Sequence, residues 1–72
     1  ELEIGAGSSL IGKALKDAGF PRGCVVAAIT RDDGHVVIPR GGDVIKPMDR
    51  MVLFVLHGVV DAVLQLAGVE RQ

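Results

Sequence analysis

Two apolar runs fix most of what this chain can become. Cys24–Thr30 reads CVVAAIT, and residues 50–56 read RMVLFVL. Neither alternates apolar with polar side chains, and both are rich in β-branched or bulky apolar residues. Runs of this kind read as strands buried on both faces rather than strands with one wet side. The pair therefore predicts the inner strands of a sheet. The chain has 72 residues, so it is one domain at most, and a domain of this size hides only ~60% of the surface its unfolded form exposes. Yet 49% of the residues are hydrophobic, more than so small a globule covers easily. The surplus points to a partner surface, for which a second copy of the chain is the simplest occupant.

The rest of the chain supplies a frame for these strands. Leu2, Glu3 and Ile4 form a short first strand, broken by Gly5-Ala6-Gly7. Ser8 or Ser9 can cap a helix N-terminus. Leu10, Ile11, Ala14, Leu15 and Ala18 then recur at helical spacing, with Lys13, Lys16 and Asp17 on the opposite side. The spacing predicts a helix over 10–18, ended by Gly19 and a Phe20-Pro21-Arg22-Gly23 connector. Asp32-Asp33-Gly34 is a tight-turn signal after the first run, and residues 35–38 form the return strand. Pro39 ends its pairing. Val44 and Ile45 add a brief strand, and Lys46-Pro47-Met48-Asp49 is a second turn. Residues 58–67 predict a second helix, with Asp61 in its first turn, Gly68 as its cap and a frayed end over 69–72. The order is β-α-β-β-β-α. The fold class is α+β: two layers, a small mixed or antiparallel sheet with two helices on one face.

Several function classes fall away on composition. The net charge is −1, from eight basic and nine acidic residues, and the only aromatics are Phe20 and Phe54. A nucleic-acid binder wants a basic face, often with stacking aromatics. Gly5-Ala6-Gly7 fails as a dinucleotide fingerprint, because the sixth position is Leu10 and the strand before it is only three residues long. Arg31, Asp33 and His35 could compose an acid/base cluster, but they flank a turn, where charge is ordinary, and no nucleophile stands at a motif position. His35 and His57 lack ligand spacing, and one cysteine completes no zinc set. Neither a catalytic residue nor a metal site is expected within the chain; only a symmetric pair could share ligands. Cys24 reads as a small core hydrophobe and suits a reducing compartment. No run approaches the ~20 apolar residues a bilayer span needs, and no basic stretch leads into an apolar signal segment. Glu1 is not a natural start residue, so the chain is expected to be a piece of something longer.

The stretch SSLIGKALKDAGFPRGCVVAAITRDDGHVVIPRGGDVIKPMDRMVLFV resembles the RCK C-terminal, or TrkA-C, domain family. The family pattern is a small residue and Leu/Ile-Gly-Lys-x-Leu, then Pro-x-Gly, an apolar strand ending in Arg-Asp-Gly, then Ile-Pro-x-Gly, and finally Pro-Gly-Asp-Arg before a last strand. It covers about residues 2–67. The Phe-Pro-Arg-Gly connector and Ile-Pro-Arg-Gly loop look most like the bacterial TrkA type. The chain departs from the family at Met48, where glycine is usual, and at Gly42-Asp43, where Asp-Thr is common.

The resemblance implies a cytoplasmic regulatory lobe at the inner face of a membrane ion transporter, with no enzymatic activity. Such domains dimerise, and several hold a small ligand between the two copies. Related domains hang from sodium/proton antiporters, anion symporters and chloride channels, and a purely structural dimerisation module is the plainest rival. No cofactor is expected in the chain itself, since nucleotide belongs to a Rossmann lobe that precedes the family domain. Members that bind cyclic di-AMP carry an Ile/Leu pair, an acid, an arginine and Asn-Ile. Here Leu10 and Ile11 match the pair, Ala14 replaces the acid, Lys16 the arginine, and Cys24-Val25 the Asn-Ile. The cleft at the equivalent place would be lined by Ile11, Lys16, Cys24, Val25 and Pro39. The dimer interface is expected on Leu10, Ile11, Ala14 and Leu15, and facing lysines there favour a small anionic ligand.

Overall fold

The apolar run in Cys24–Thr30 slips by one residue at Ala27, and that slip organises the sheet. In the computed structural model, which describes residues 1–68, the run is strand β2. It pairs antiparallel with β4, Arg50–Val55. Cys24, Val25 and Val26 stand opposite Val55, Phe54 and Leu53, whereas Ala28, Ile29 and Thr30 stand opposite Val52, Met51 and Arg50. Ala27 is the surplus residue of a β-bulge. Directly opposed residues share a face of the sheet. The bulge therefore sends Cys24, Val26 and Ile29 to one side, and Val25, Ala28 and Thr30 to the other.

The two sides have different fates. Ile29 and Met51 are fully buried, while Val25 is 62% and Phe54 70% exposed. What reads as a strand apolar on both faces is an alternating strand with one slip in phase. The cover expected for the second face is not supplied by the chain itself.

Two short strands complete the sheet. Strand β1, Leu2–Glu3, pairs with β4, and β3, Val36–Val37, pairs with β2. The order is β1-β4-β2-β3, antiparallel throughout. The core under the inner face consists of Leu2, Ile4, Leu10, Ala18, Ile29, Ile45, Met51 and Ala67. One end is closed by α1, Val60–Ala67, entered through a 3-10 turn at His57–Val59 and ended by Gly68 in the left-handed conformation. Val63 and Ala67 turn inward from it. The expectation for residues 69–72 lies outside the described residues.

The helix expected over 10–18 is absent, and so is the two-helix layer. Gly12 has φ +86° and Ala14 is extended, so neither continues a right-handed helix. Only a 3-10 turn forms, at Leu15–Asp17. The backbone bonds go sideways instead. Gly12 N–H donates to the Ile45 carbonyl at 2.8 Å, Ile45 N–H to Lys13 at 2.9 Å, Leu15 N–H to Asp43 at 2.9 Å and Lys16 N–H to Gly41 at 3.0 Å. Ala14 and Val44 form a single bridge where a brief strand was expected at Val44 and Ile45. The apolar spacing is still obeyed: Leu10 and Ala18 are buried, and Ile11 and Leu15 pack against the core. Local propensity yielded to a tertiary ladder that satisfies the same donors and buries the same side chains.

Candidate functional site

The expected ligand and interface residues fall on three different parts of the fold. Leu10 is fully buried in the core of the chain, and Ile11 and Leu15 are half-buried against that core. Ala14 is half-buried at its bridge to Val44. Lys16 is exposed, and the ladder sets it beside the Arg40–Asp43 loop, where its Cβ lies 3.5 Å from the position a Cβ on Gly41 would take. That loop is braced by its own acid: Asp43 accepts the Arg40 N–H at 2.6 Å and returns its own N–H to the Arg40 carbonyl at 3.0 Å. The structure thus brings Lys16 to the loop that Pro39 opens. Cys24 and Val25 do not act together, because adjacent strand residues point to opposite faces. Cys24 faces inward, half-buried, and desolvation pushes its thiol up from the ordinary value. Val25 faces outward.

The buried polar group is one that sequence reasoning did not assemble. Asp49 is completely buried, and its Oδ2 accepts from the Arg31 guanidinium at 2.6 Å and from the Lys46 N–H at 2.9 Å. Arg31 also donates to the Val44 carbonyl at 3.0 Å. One carboxylate so ties the β2–β3 hairpin, the 40–45 loop and the 46–49 turn together. A buried charge is tolerated only when paired and hydrogen-bonded, which is what Arg31 and the turn amide provide. Pro47 and Met48 occupy the two central turn positions, and Met48 takes φ +67°, as a type II turn requires at its third residue. This is the strain that glycine, usual there in the resembled family, would relieve. The Arg31–Asp49 partnership spans 18 positions, and no local pattern announces it.

Around this pair lies a surface hollow of about 280 Å³, lined by Arg31, Asp32, Asp33, Lys46, Pro47 and Asp49. Asp33 and His35, the members of the sequence-level acid/base cluster, sit at its hairpin. Asp33 accepts from the His35 backbone at 3.0 Å and lies 2.9 Å from His35 Nδ1. Those bonds, the backbone one first, hold its carboxyl below the usual carboxylate range. Both side chains stand in solvent, so the hairpin encloses no acid/base pair. Among the described residues no three metal-ligating side chains converge, and no helix is long and apolar enough to cross a membrane.

Comparison with known proteins matches the sequence to a family. The TrkA-C domain matches residues 1–68, all of the described chain. The chain belongs to the TrkA-C domain family. It is 39% identical over 59 residues to the Trk system potassium uptake protein TrkA homolog 2 of Methanosarcina mazei, a match that covers 82% of this chain and 13% of that protein. It is 42% identical over 53 residues to the Trk system potassium uptake protein TrkA homolog of Archaeoglobus fulgidus, covering 74% of this chain and 12% of that one. The chain thus spans about an eighth of the length of these relatives.

Proposed function

We propose that this TrkA-C domain is a regulatory module of a potassium uptake system, acting on the cytoplasmic side through a membrane transport subunit. The observation that supports it is the likeness of at least 39% to two Trk potassium uptake proteins across most of the chain. The module works as a homodimer that brings two copies of the ladder over 10–16 and 41–45 together, with Ile11, Ala14 and Leu15 at the contact and Leu10 bracing them from inside the protomer. Two Lys16 side chains then face a common cleft, with Ile11, Pro39 and the Cys24-Val25 start of β2 at its margin. Like charges in one cleft repel unless an anion lies between them, so the ligand is a small anion. A ligand shifts the equilibrium of the transporter only through different affinities for its two states.

The test has two parts. Cells that depend on the parent protein are grown at limiting potassium with the domain intact and with the domain removed. Loss of controlled uptake on removal supports the regulatory reading, and unchanged uptake overturns it. The chain is then heated with a panel of anions, including phosphate, nucleotides and cyclic di-AMP, and with Lys16→Ala in parallel. A raised melting temperature that disappears in the variant identifies the ligand class. No shift with any anion leaves a structural dimerisation module.

A further inference from the structure

We propose that Met48 is a reversible oxidation site, at which a peroxide converts the thioether to a sulfoxide that the Arg50 guanidinium then holds. The site is independent of the Lys16 cleft. Backbone conformation points to it first. Among the described residues Met48 is the single residue other than glycine with a positive φ, +67°, a conformation disfavoured wherever a Cβ is present. Strain of this kind persists only where the surrounding structure imposes it, and it gathers at sites that act. Here Met48 N–H donates to the Ile4 carbonyl at 2.9 Å, and Ile4 N–H to the Asp49 carbonyl at 2.8 Å. Those bonds pin the turn and leave the Met48 side chain at the surface. The chain's two methionines thus meet opposite conditions. Met51 is fully buried between Leu2 and Ile29, whereas Met48 is 43% exposed.

The surroundings suit the product better than the starting thioether. Met48 and Arg50 share a hollow of about 200 Å³, whose wall also includes Glu3, Thr30 and Arg31. Glu3 and Thr30 flank Arg50 across the sheet, yet its guanidinium has no partner among the described residues. A thioether is only a weak acceptor, and guanidinium offers five N–H donors in a fixed fork. A sulfoxide is polar, and its oxygen is the acceptor that the hollow lacks. The step balances without any further reactant. A lone pair of the Met48 sulfur attacks one peroxide oxygen; the S–O bond forms as the O–O bond breaks. The proton on the attacked oxygen passes to the departing one, which leaves as water or an alcohol. Sulfur is oxidised by two electrons and the peroxide reduced by the same two. Methionine sulfoxide reductases reverse the change, and an exposed turn gives them access.

Hydrogen peroxide treatment of the chain, folded and in urea, tests this, with the two methionines followed by peptide mass spectrometry. Mildly acidic buffer keeps the Cys24 thiol neutral and slow, because the thiolate is the reactive form. In the folded chain Met48 is expected to gain one oxygen roughly tenfold or more faster than Met51, which reacts only after the core opens. In urea the two rates converge. Reductases for both sulfoxide epimers are expected to restore the starting mass. Equal rates in the folded chain, or a Met48 sulfoxide that resists the reductases, overturn the site. The Arg50 contact is read from melting temperatures before and after oxidation. Arg50 is exposed, so Arg50→Ala keeps the fold, checked by circular dichroism, and Arg50→Gln serves as a second variant. Oxidation is expected to lower the melting temperature of each variant by roughly 4 °C more than that of the wild type, the loss of one charge-assisted hydrogen bond. Equal shifts overturn the contact. Met48→Leu, which has no sulfur at the turn, is expected to show no shift, and one as large as in the wild type places the reaction elsewhere and overturns the proposal.

Discussion

The two faces of one sheet are built from the same kinds of residue and serve opposite ends. On the inner face Leu2, Ile29 and Met51 are sealed under α1 and the 10–18 segment. On the outer face Val25, Val52 and Phe54 are apolar and open. Hydrophobicity alone therefore does not say which side of a strand is core. What separates the faces here is the bulge at Ala27, which keeps Val26 and Ile29 on the same side although they are three residues apart. Consecutive residues show the same division at the edge of β4, where Asp49 is wholly buried and Arg50 is exposed.

The severest way to break this division is to charge the inner face. Ile29→Lys sets an unpaired ammonium in the fully buried core opposite Met51. The variant is expected to show no cooperative thermal transition. Next comes Asp49→Ala, which strands Arg31 and leaves the Lys46 amide without its acceptor. Breaking a buried pair costs about 3–5 kcal/mol, against a total stability of roughly 4–11 kcal/mol for a chain this size. Urea titration is expected to show a protein at the edge of unfolding, while Arg50→Ala, one residue away, changes the midpoint little.

A pair of single truncations sharpens the contrast further. Met51→Ala is expected to cost about 2–5 kcal/mol by urea unfolding, as for a large side chain lost from a core. Phe54→Ala in dilute solution is expected to cost under about 0.5 kcal/mol, as for an exposed site. Equal losses would mean that the outer face is already covered within one chain.

Cys24 reports the inner face chemically. Burial raises its folded-state thiol pKa, so folding favours the neutral thiol. The associated stability is whole below the pKa of the unfolded thiol and declines as pH rises through and above it. Alkylation by iodoacetamide near pH 8 is expected to run slower in the folded chain than after urea unfolding, and equal rates would place the thiol in water. The smallest effect is expected from Met48→Gly. Relief of a left-handed residue is worth about 1 kcal/mol, partly offset by the greater freedom of glycine in the unfolded chain. The net change is a slight gain in melting temperature, and a loss would show that the Met48 side chain contributes packing at the turn.

Much of this was legible beforehand. The two long strands, the Asp32-Asp33-Gly34 hairpin, the terminal helix with its Gly68 cap and the α+β class follow from apolar runs and turn residues, because those signals are local. The family pattern was legible as well, since its proline and glycine turns stand at fixed places in the chain. The position of Lys16 beside the Arg40–Asp43 loop was not, because it depends on the ladder that replaced the expected helix.

What the sequence by itself determined is which residues are apolar, where the chain turns, and which side chains of 10–18 go inward. Leu10, Ile11, Leu15 and Ala18 reach the core whether or not the backbone is helical. Only the tertiary structure decided how that backbone runs, which face of the sheet is core and which carboxylate is buried. Each of these depends on partners far apart in the chain: 12–16 against 41–45, β2 against β4 across the Ala27 slip, and Arg31 against Asp49. A hydrogen bond or ion pair between distant segments leaves no periodic trace in the sequence. It is selected only when the folded chain must satisfy every buried donor and charge at once.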